Sequence, residues 1–270
     1  MTGAAPRLAA VTRQLAAFTA GDAAIPDAVT LFEQTTGPAD AWQRRALASP
    51  ARRALWLCAR QVGKSTTAAV LAAHEALSQR AGLTLLISPS ERQSVELARK
   101  VRAVLIDADA VLSVDNVTSL ELPNGSRVIS LPSSEQTIRG FSAPSLVIED
   151  EASRVSDALH HAIRPMLATS GGRLVLLTTA WGKRGHFYHE WTEGGDSWER
   201  TLVPADHCGR IASGFLDAER ASIPPHVYAS EYQCIFGDTV DAVFGAEWIA
   251  AALDDALEPL FSAGGARGNL

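Results

Sequence analysis

Apolar positions along this chain follow two rhythms. Near the N-terminus, Leu8, Val11, Leu15 and Phe18 recur at three- and four-residue spacing, which predicts one apolar helical face in an alanine-rich stretch reaching about residue 50. That stretch is broken around Gly21-Asp22 and Thr36-Gly37-Pro38. Further on, the apolar residues come in short unbroken runs: Ala54 to Leu57, Leu83 to Ile87, Leu146 to Ile148 and Leu174 to Leu177. Runs of that length without polar alternation predict strands buried on both faces, the habit of a parallel sheet. Helices fit the intervals. Thr66 to Ser78 is small and apolar, and Gly82 is expected to end it; Ser90 caps a helix through about Ile106; His160 to Leu167 carries Pro165, predicting a kink or an early end. Leu120 and Leu122 precede Asn124-Gly125, and Val128, Ile129 and Leu131 follow, so 119–131 reads as a hairpin with a two-residue turn.

Two of these strands end in chemistry. The first runs into Cys58-Ala59-Arg60-Gln61-Val62-Gly63-Lys64-Ser65-Thr66 and then a helix, the context a phosphate-binding loop requires. Backbone N–H groups from Arg60 through Thr66 at such a loop and helix start would cradle the phosphates of a nucleotide. Lys64 would reach the β- and γ-oxygens, and the Ser65 hydroxyl would ligate Mg²⁺. The usual first glycine is replaced by Cys58. The second strand ends Ile148-Glu149-Asp150-Glu151-Ala152, the pattern of a Walker B strand. Asp150 is placed to hold the same Mg²⁺ as Ser65, and Glu151 to orient and deprotonate the attacking water. Glu149 stands where an aliphatic residue is more usual; a register slip would make it the metal carboxylate instead.

The flanking candidates have two readings each. Gln43, just upstream of the first strand, can read an adenine edge by donating and accepting at once, or lie on a helix surface. Trp42 beside it reads as packing. Arg139, in Ile138-Arg139-Gly140 shortly before the Walker B strand, can stabilise transferring phosphate charge or pair with an acidic neighbour. Thr178-Thr179 closes a strand with hydroxyls able to bond a γ-phosphate or its water, or is there because β-branched residues suit strands. Arg92, Arg99, Lys100 and Arg102 can touch DNA phosphates or form a solvated helix face. Gly182 to Tyr188, basic and aromatic, reads as a moving loop, and His74 as a structural helix residue.

Composition narrows the class. A net charge of −6 over 270 residues excludes a global basic signature of nucleic-acid binding, leaving only a local patch for DNA. The 3 cysteines are far apart, so neither zinc nor a disulfide framework is indicated. No apolar run approaches the roughly 18–20 residues of a membrane span.

With these motifs in order and at this spacing, residues 40–250 resemble the ATPase half of the large terminase subunit, the DNA-packaging motor of tailed bacteriophages. The Arg-Gln inside the phosphate loop is the more specific part of the likeness. The resemblance implies an α/β P-loop NTPase fold of the RecA-like (ASCE) kind, a mainly parallel central sheet with helices on both faces and a small C-terminal helical lid. It divides the chain into an N-terminal helical segment at 1–50, an ATPase core at 51–205, and lid and linker at 206–270. It implies that Arg60 senses phosphate, Gln43 reads adenine, Thr178 and Thr179 couple hydrolysis to movement, and Arg139 acts in trans within a ring. ATP and Mg²⁺ are the implied cofactors. Implied partners are double-stranded DNA, a portal carrying a homo-oligomeric ring, and a small terminase subunit, in the host cytoplasm. The family's nuclease domain gathers carboxylates from several strands, which Asp254-Asp255 on one helix cannot replace, so no nuclease activity is expected of this polypeptide. A helicase-like or remodelling ATPase, and a nucleotide-binding assembly switch without turnover, are the alternatives.

Overall fold

The computed structural model describes residues 25–132, 138 and 140–237. The helical face of Leu8 to Phe18, Arg139 and Asp254-Asp255 lie outside the described residues. Helix α1 (Ala28–Thr36) starts where the Asp27 carboxylate accepts the backbone N–H groups of Val29 and Thr30. Helix α2 (Ala41–Ala48) follows, closed by a capping box between Asp40 and Gln43. Strand β1 (Arg53–Cys58) then enters the phosphate loop, and α3 (Lys64–Ser78) leaves it. Alanines from Ala68 to Ala76 make the buried side of α3, allowing the helix to sit close to the sheet.

Strand β2 (Leu83–Ser88), helix α4 (Glu91–Asp107), β3 (Val114–Asp115), β4 (Ser119–Glu121), β5 (Arg127–Pro132) and β6 (Leu146–Asp150) come next. A short 3-10 turn leads to α5 (Asp157–Ile163), α6 (Met166–Ser170), β7 (Arg173–Thr178), α7 (Gly185–Thr192), β8 (Glu199–Val203), α8 (Ser213–Ser222) and α9 (Pro225–Gln233). The strands form one sheet in the order β3-β4-β5-β2-β6-β7-β1-β8. All pairings from β5 through β8 are parallel, and only β3-β4 and β4-β5 are antiparallel. Every residue of β2 and β6 is buried, as is all of β1 after Arg53, so the sheet is covered on both faces. The phosphate-loop strand β1 and the carboxylate strand β6 are not neighbours, because β7 lies between them. That inserted strand is the signature of a RecA-like P-loop NTPase, and the fold is of that class.

Several expectations need revision. The 119–131 hairpin forms, but its loop closes with Leu122 N–H on Ser126 C=O at 2.9 Å and Gly125 N–H on Leu122 C=O at 2.9 Å, a longer connection than two residues. Its cause is Asn124, whose amide donates to the carbonyls of Ala76, at 2.8 Å, and Gln79, at 2.9 Å, at the end of α3. The helix consequently ends at Ser78, before Gly82, and Ala81 rather than a glycine takes the left-handed backbone, φ 52°. Pro165 ends α5, and a separate short helix begins after it. The expected moving loop at 182–188 is mostly the start of α7, with His186 and Phe187 buried. The described residues through Gly237 belong to one compact unit, and those from Asp206 onward pack into it through Cys208, Tyr228 and Cys234.

Candidate active site

The site forms where the C-terminal ends of β1, β7 and β6 meet the start of α3. At the loop, Gln61 (φ 61°) and Gly63 (φ 89°) take left-handed backbone, turning the chain sharply into the helix. Gly63 is required twice over. A Cβ there would stand 2.9 Å from the Gln43 amide nitrogen and 3.0 Å from an Arg210 guanidinium nitrogen. Cys58 at the usual first-glycine position ends β1 in extended backbone, where no glycine is needed, and its thiol is fully buried. Burial pushes that thiol well above its ordinary range, so it is a packing group rather than a nucleophile.

Four side chains converge behind the loop. Lys64 Nζ lies 2.8 Å from Glu151 Oε1, and the Ser65 hydroxyl donates to Asp150 Oδ2 at 3.2 Å. Asp150 Oδ1 also accepts the Glu151 backbone N–H at 3.0 Å. Glu151 itself has φ 54°, a left-handed conformation costly for a side-chain-bearing residue, and this swings its carboxylate off the strand toward Lys64. Burial, with the Glu151 charge added, raises the Asp150 carboxyl to about 6. Burial works against the Lys64 charge, but Glu151 and then Asp150 outweigh it and hold the ammonium above its ordinary value. Two carboxylates thus face one ammonium, leaving the site short of positive charge. A hard dication bound by Ser65 and Asp150 oxygens corrects that shortage, so the donor set fits Mg²⁺. Asp150, not Glu149, faces Ser65; Glu149 is turned to the other side of the sheet, and the slipped register is excluded.

The remaining candidates fall around this centre. Thr178 Oγ1 lies 3.5 Å from Glu151 Oε2 and donates to the Thr179 carbonyl at 2.9 Å; both threonines are buried. Thr66 sits in the first turn of α3, and Val62 is buried beneath the loop. Gln43 is beside the loop but fully buried: Oε1 accepts Asp40 N–H at 2.9 Å and Nε2 donates to Thr67 Oγ1 at 3.0 Å. The Thr67 hydroxyl in turn donates to the Gly63 carbonyl at 3.0 Å. Gln43 therefore braces the loop from behind in this structure, with one N–H and one carbonyl lone pair of its amide engaged. Arg60 points to α9: its guanidinium pairs with Glu231, and its N–H donates to the Glu231 carbonyl at 3.0 Å. On α4, Arg102 forks onto Asp115 with two contacts of 2.6 Å and Arg99 lies 3.6 Å from Glu96, so these two charges already have acidic partners.

Sequence reasoning missed Arg210. Its guanidinium donates to the Val62 carbonyl and to Asp40, each at 2.8 Å, fastening the segment after β8 to the phosphate loop. Nothing in the local sequence of Arg210 signals a loop 148 residues away.

Comparison with known proteins agrees with this geometry. No curated protein matches the sequence. Among solved structures, the ATPase domain of the Thermus phage P74-26 large terminase matches with a TM-score of 0.67 at 19% identity, over 77% of this chain and 98% of that one. The large terminase of a thermophilic bacteriophage, in complex with ATP-γ-S, matches at 0.62 and 10% identity, over 74% of this chain and 53% of that one. The HK97 bacteriophage large terminase matches at 0.63 and 15% identity, over 78% and 55%. The chain therefore spans about half the length of the latter two proteins. A model of the N-terminal part of the T4likevirus-type terminase large subunit matches residues 55–251, most of the sequence, and the chain belongs to that family.

Proposed function

We propose that this chain is the ATPase motor of a phage DNA-packaging machine, hydrolysing ATP to drive double-stranded DNA into a procapsid. The observation that carries the reading is the meeting of Lys64 with Glu151, and of Ser65 with Asp150, across the inserted strand β7. Loop N–H groups and Lys64 bind the nucleotide phosphates, where backbone dipoles at a helix start favour anions. Ser65 and Asp150 would hold Mg²⁺, which when bound neutralises charge on the phosphate oxygens. Glu151 is the general base. Its present partner, Lys64, is the cation the γ-phosphate claims, so phosphate binding frees the Glu151 carboxylate to orient water and accept its proton. Thr178, within reach of Glu151, is placed to register that exchange. Arg139 is assigned to a neighbouring subunit's phosphate in a ring, and Arg60 reaches phosphate by exchanging Glu231. The thermophilic-phage terminase is described as bound to ATP-γ-S, which supports nucleotide binding here. The proposed partners are linear double-stranded DNA, a portal and a small terminase subunit, met in the host cytoplasm. No nuclease role is assigned to this chain.

The test is ATP turnover as protein concentration rises, for wild type and Glu151→Gln, with and without linear duplex DNA. Specific activity should climb with concentration and fall by roughly 10²–10⁴ in Glu151→Gln, the range for a lost general base. Tight ATP binding with no turnover under any condition would replace the motor by a nucleotide switch.

A further inference from the structure

The residue before Asp150 belongs to a second, buried cluster. Glu149 has no exposure, and its two carboxylate oxygens face different histidines: Oε1 lies 3.0 Å from His160 Nδ1 and Oε2 lies 3.0 Å from His186 Nε2. The two imidazoles stack at 4.2 Å with planes 12° apart. Behind them, Asp157 Oδ1 accepts the His186 backbone N–H at 2.7 Å and faces His186 Nδ1 at 3.2 Å. Burial works against the Glu149 charge, but hydrogen bonds from His160 and His186 more than offset it and hold the carboxyl well below its ordinary range. An ionised carboxylate only accepts, so each ring nitrogen facing it carries a hydrogen. His186 faces a carboxylate from each ring nitrogen, Glu149 from Nε2 and Asp157 from Nδ1. His160 donates from Nδ1, and its buried Nε2 has no partner among the described residues.

Two histidines and a glutamate, with a carboxylate behind one histidine, also make up a zinc donor set by residue type. The ring geometry argues against it. The rings stack near-parallel with centroids 4.2 Å apart, and each facing nitrogen already has its own Glu149 oxygen at 3.0 Å, a hydrogen-bonding distance.

The cluster's place in the chain gives it a task. Glu149 lies two residues before the strained Glu151, whereas Asp157 and His160, on α5, follow it. His186 opens α7, the first helix after Thr178-Thr179. Both sides of the turn are therefore tied to each other and to the element beyond the coupling threonines. We propose that Glu149, His160 and His186 are positioning residues that hold the Glu151 turn in its catalytic conformation and join it to α7. This rests on the assignment of Glu151 as general base.

The test is single-turnover hydrolysis with enzyme in excess, with ATP affinity and thermal denaturation measured alongside. A carboxylate displaced by about 1 Å loses up to about 10²-fold in rate, so Glu149→Gln should cut the hydrolysis rate ten- to hundredfold with ATP affinity within about twofold of wild type. In a Glu151→Gln background the same substitution should change the residual rate less than about twofold, because the group it positions is gone. A merely structural loss would scale both backgrounds alike, and that result overturns the proposal. His160→Asn keeps a donor near the Nδ1 position and should retain the rate that His160→Leu loses; equal rates for the two would also count against it. So would one equivalent of zinc retained by the purified protein after chelation. Wild-type turnover by Glu151→Gln alone would instead remove the base on which the proposal rests.

Discussion

Replacing Asp150 by Asn should make the protein more stable and inactive. Burial, helped by the Glu151 charge, raises the Asp150 carboxyl from the ordinary 3.8 to about 6. At about 1.4 kcal/mol per pH unit, keeping this group ionised above neutrality costs the fold about 3 kcal/mol. Asn removes that charge at nearly constant volume. Its carbonyl can still accept the Glu151 N–H, and its amide can donate to Ser65, whose hydroxyl is free to turn from donor to acceptor. The Lys64 attraction and the charged hydrogen bonds are already contained in that ionisation cost, and the amide's poorer fit to these partners than the protonated acid's takes back about 1 kcal/mol. The net gain is about 2 kcal/mol at pH 8, which corresponds to roughly 4–8 °C in Tm for a domain of this size. The pH dependence has a definite sign. With a folded-state value above the unfolded one, the wild-type carboxyl contributes stability below 3.8 and loses it as pH rises through about 6, so the advantage of Asn grows across that window and is flat above it. Thermal denaturation of both proteins from pH 4.5 to 8 without divalent ions measures it, and Mg²⁺ should then stabilise the wild type but not the variant. A variant less stable at pH 8, or a difference independent of pH, would refute the charge-strain account of this site.

Three further outcomes are expected. Lys64→Ala should abolish nucleotide binding or turnover by removing the phosphates' main cation, and near-normal turnover would sink the phosphate-loop assignment. Gly63→Ala forces a left-handed Ala and a Cβ 2.9 Å from the Gln43 amide; a loss of roughly 2–3 kcal/mol is expected, read as a Tm lower by about 4–12 °C. Arg139→Ala subunits should regain activity in part when mixed with Glu151→Gln subunits, since each supplies what the other lacks at a shared interface; no recovery at any mixing ratio would favour a cis or structural role for Arg139.

What the sequence discloses and what it hides divide along a physical line. The phosphate loop and the carboxylate strand were legible because their chemistry demands residues adjacent in the chain: Gly63 for a left-handed turn, Lys64 and Ser65 at a helix start, Asp150 and Glu151 at a strand end. The all-apolar strands were legible because burial on both faces leaves no alternation. Errors came where a distant side chain did the work of a local signal. Asn124 caps α3 across 48 residues, so the helix needed no glycine of its own and the hairpin loop lengthened to reach it. Lys183 and Arg184 gave 182–188 the look of a moving loop, yet His186 is drawn inward by Glu149, 37 residues earlier. The odd glutamate in the Walker B run was visible as a departure, but its explanation lies on two helices that follow it.

The topology also bears on the response to nucleotide that the proposed function requires. Because β7 lies between β1 and β6, its last residue, Thr178, sits between the lysine-bearing loop and the glutamate-bearing turn, 3.5 Å from Glu151. In the proposed function a phosphate would take Lys64 from Glu151, its 2.8 Å partner, leaving Glu151 with the Thr178 hydroxyl at 3.5 Å. Two residues beyond Thr178, the Ala180 carbonyl accepts Ser230 of α9 at 2.7 Å. Glu231, the next residue on α9, already holds Arg60 of the phosphate loop. One helix thus touches the loop that binds phosphate and the strand end that faces the base. Under the proposed function, α9 is the element through which partner exchange at Lys64 and at Arg60 would reach the rest of the subunit.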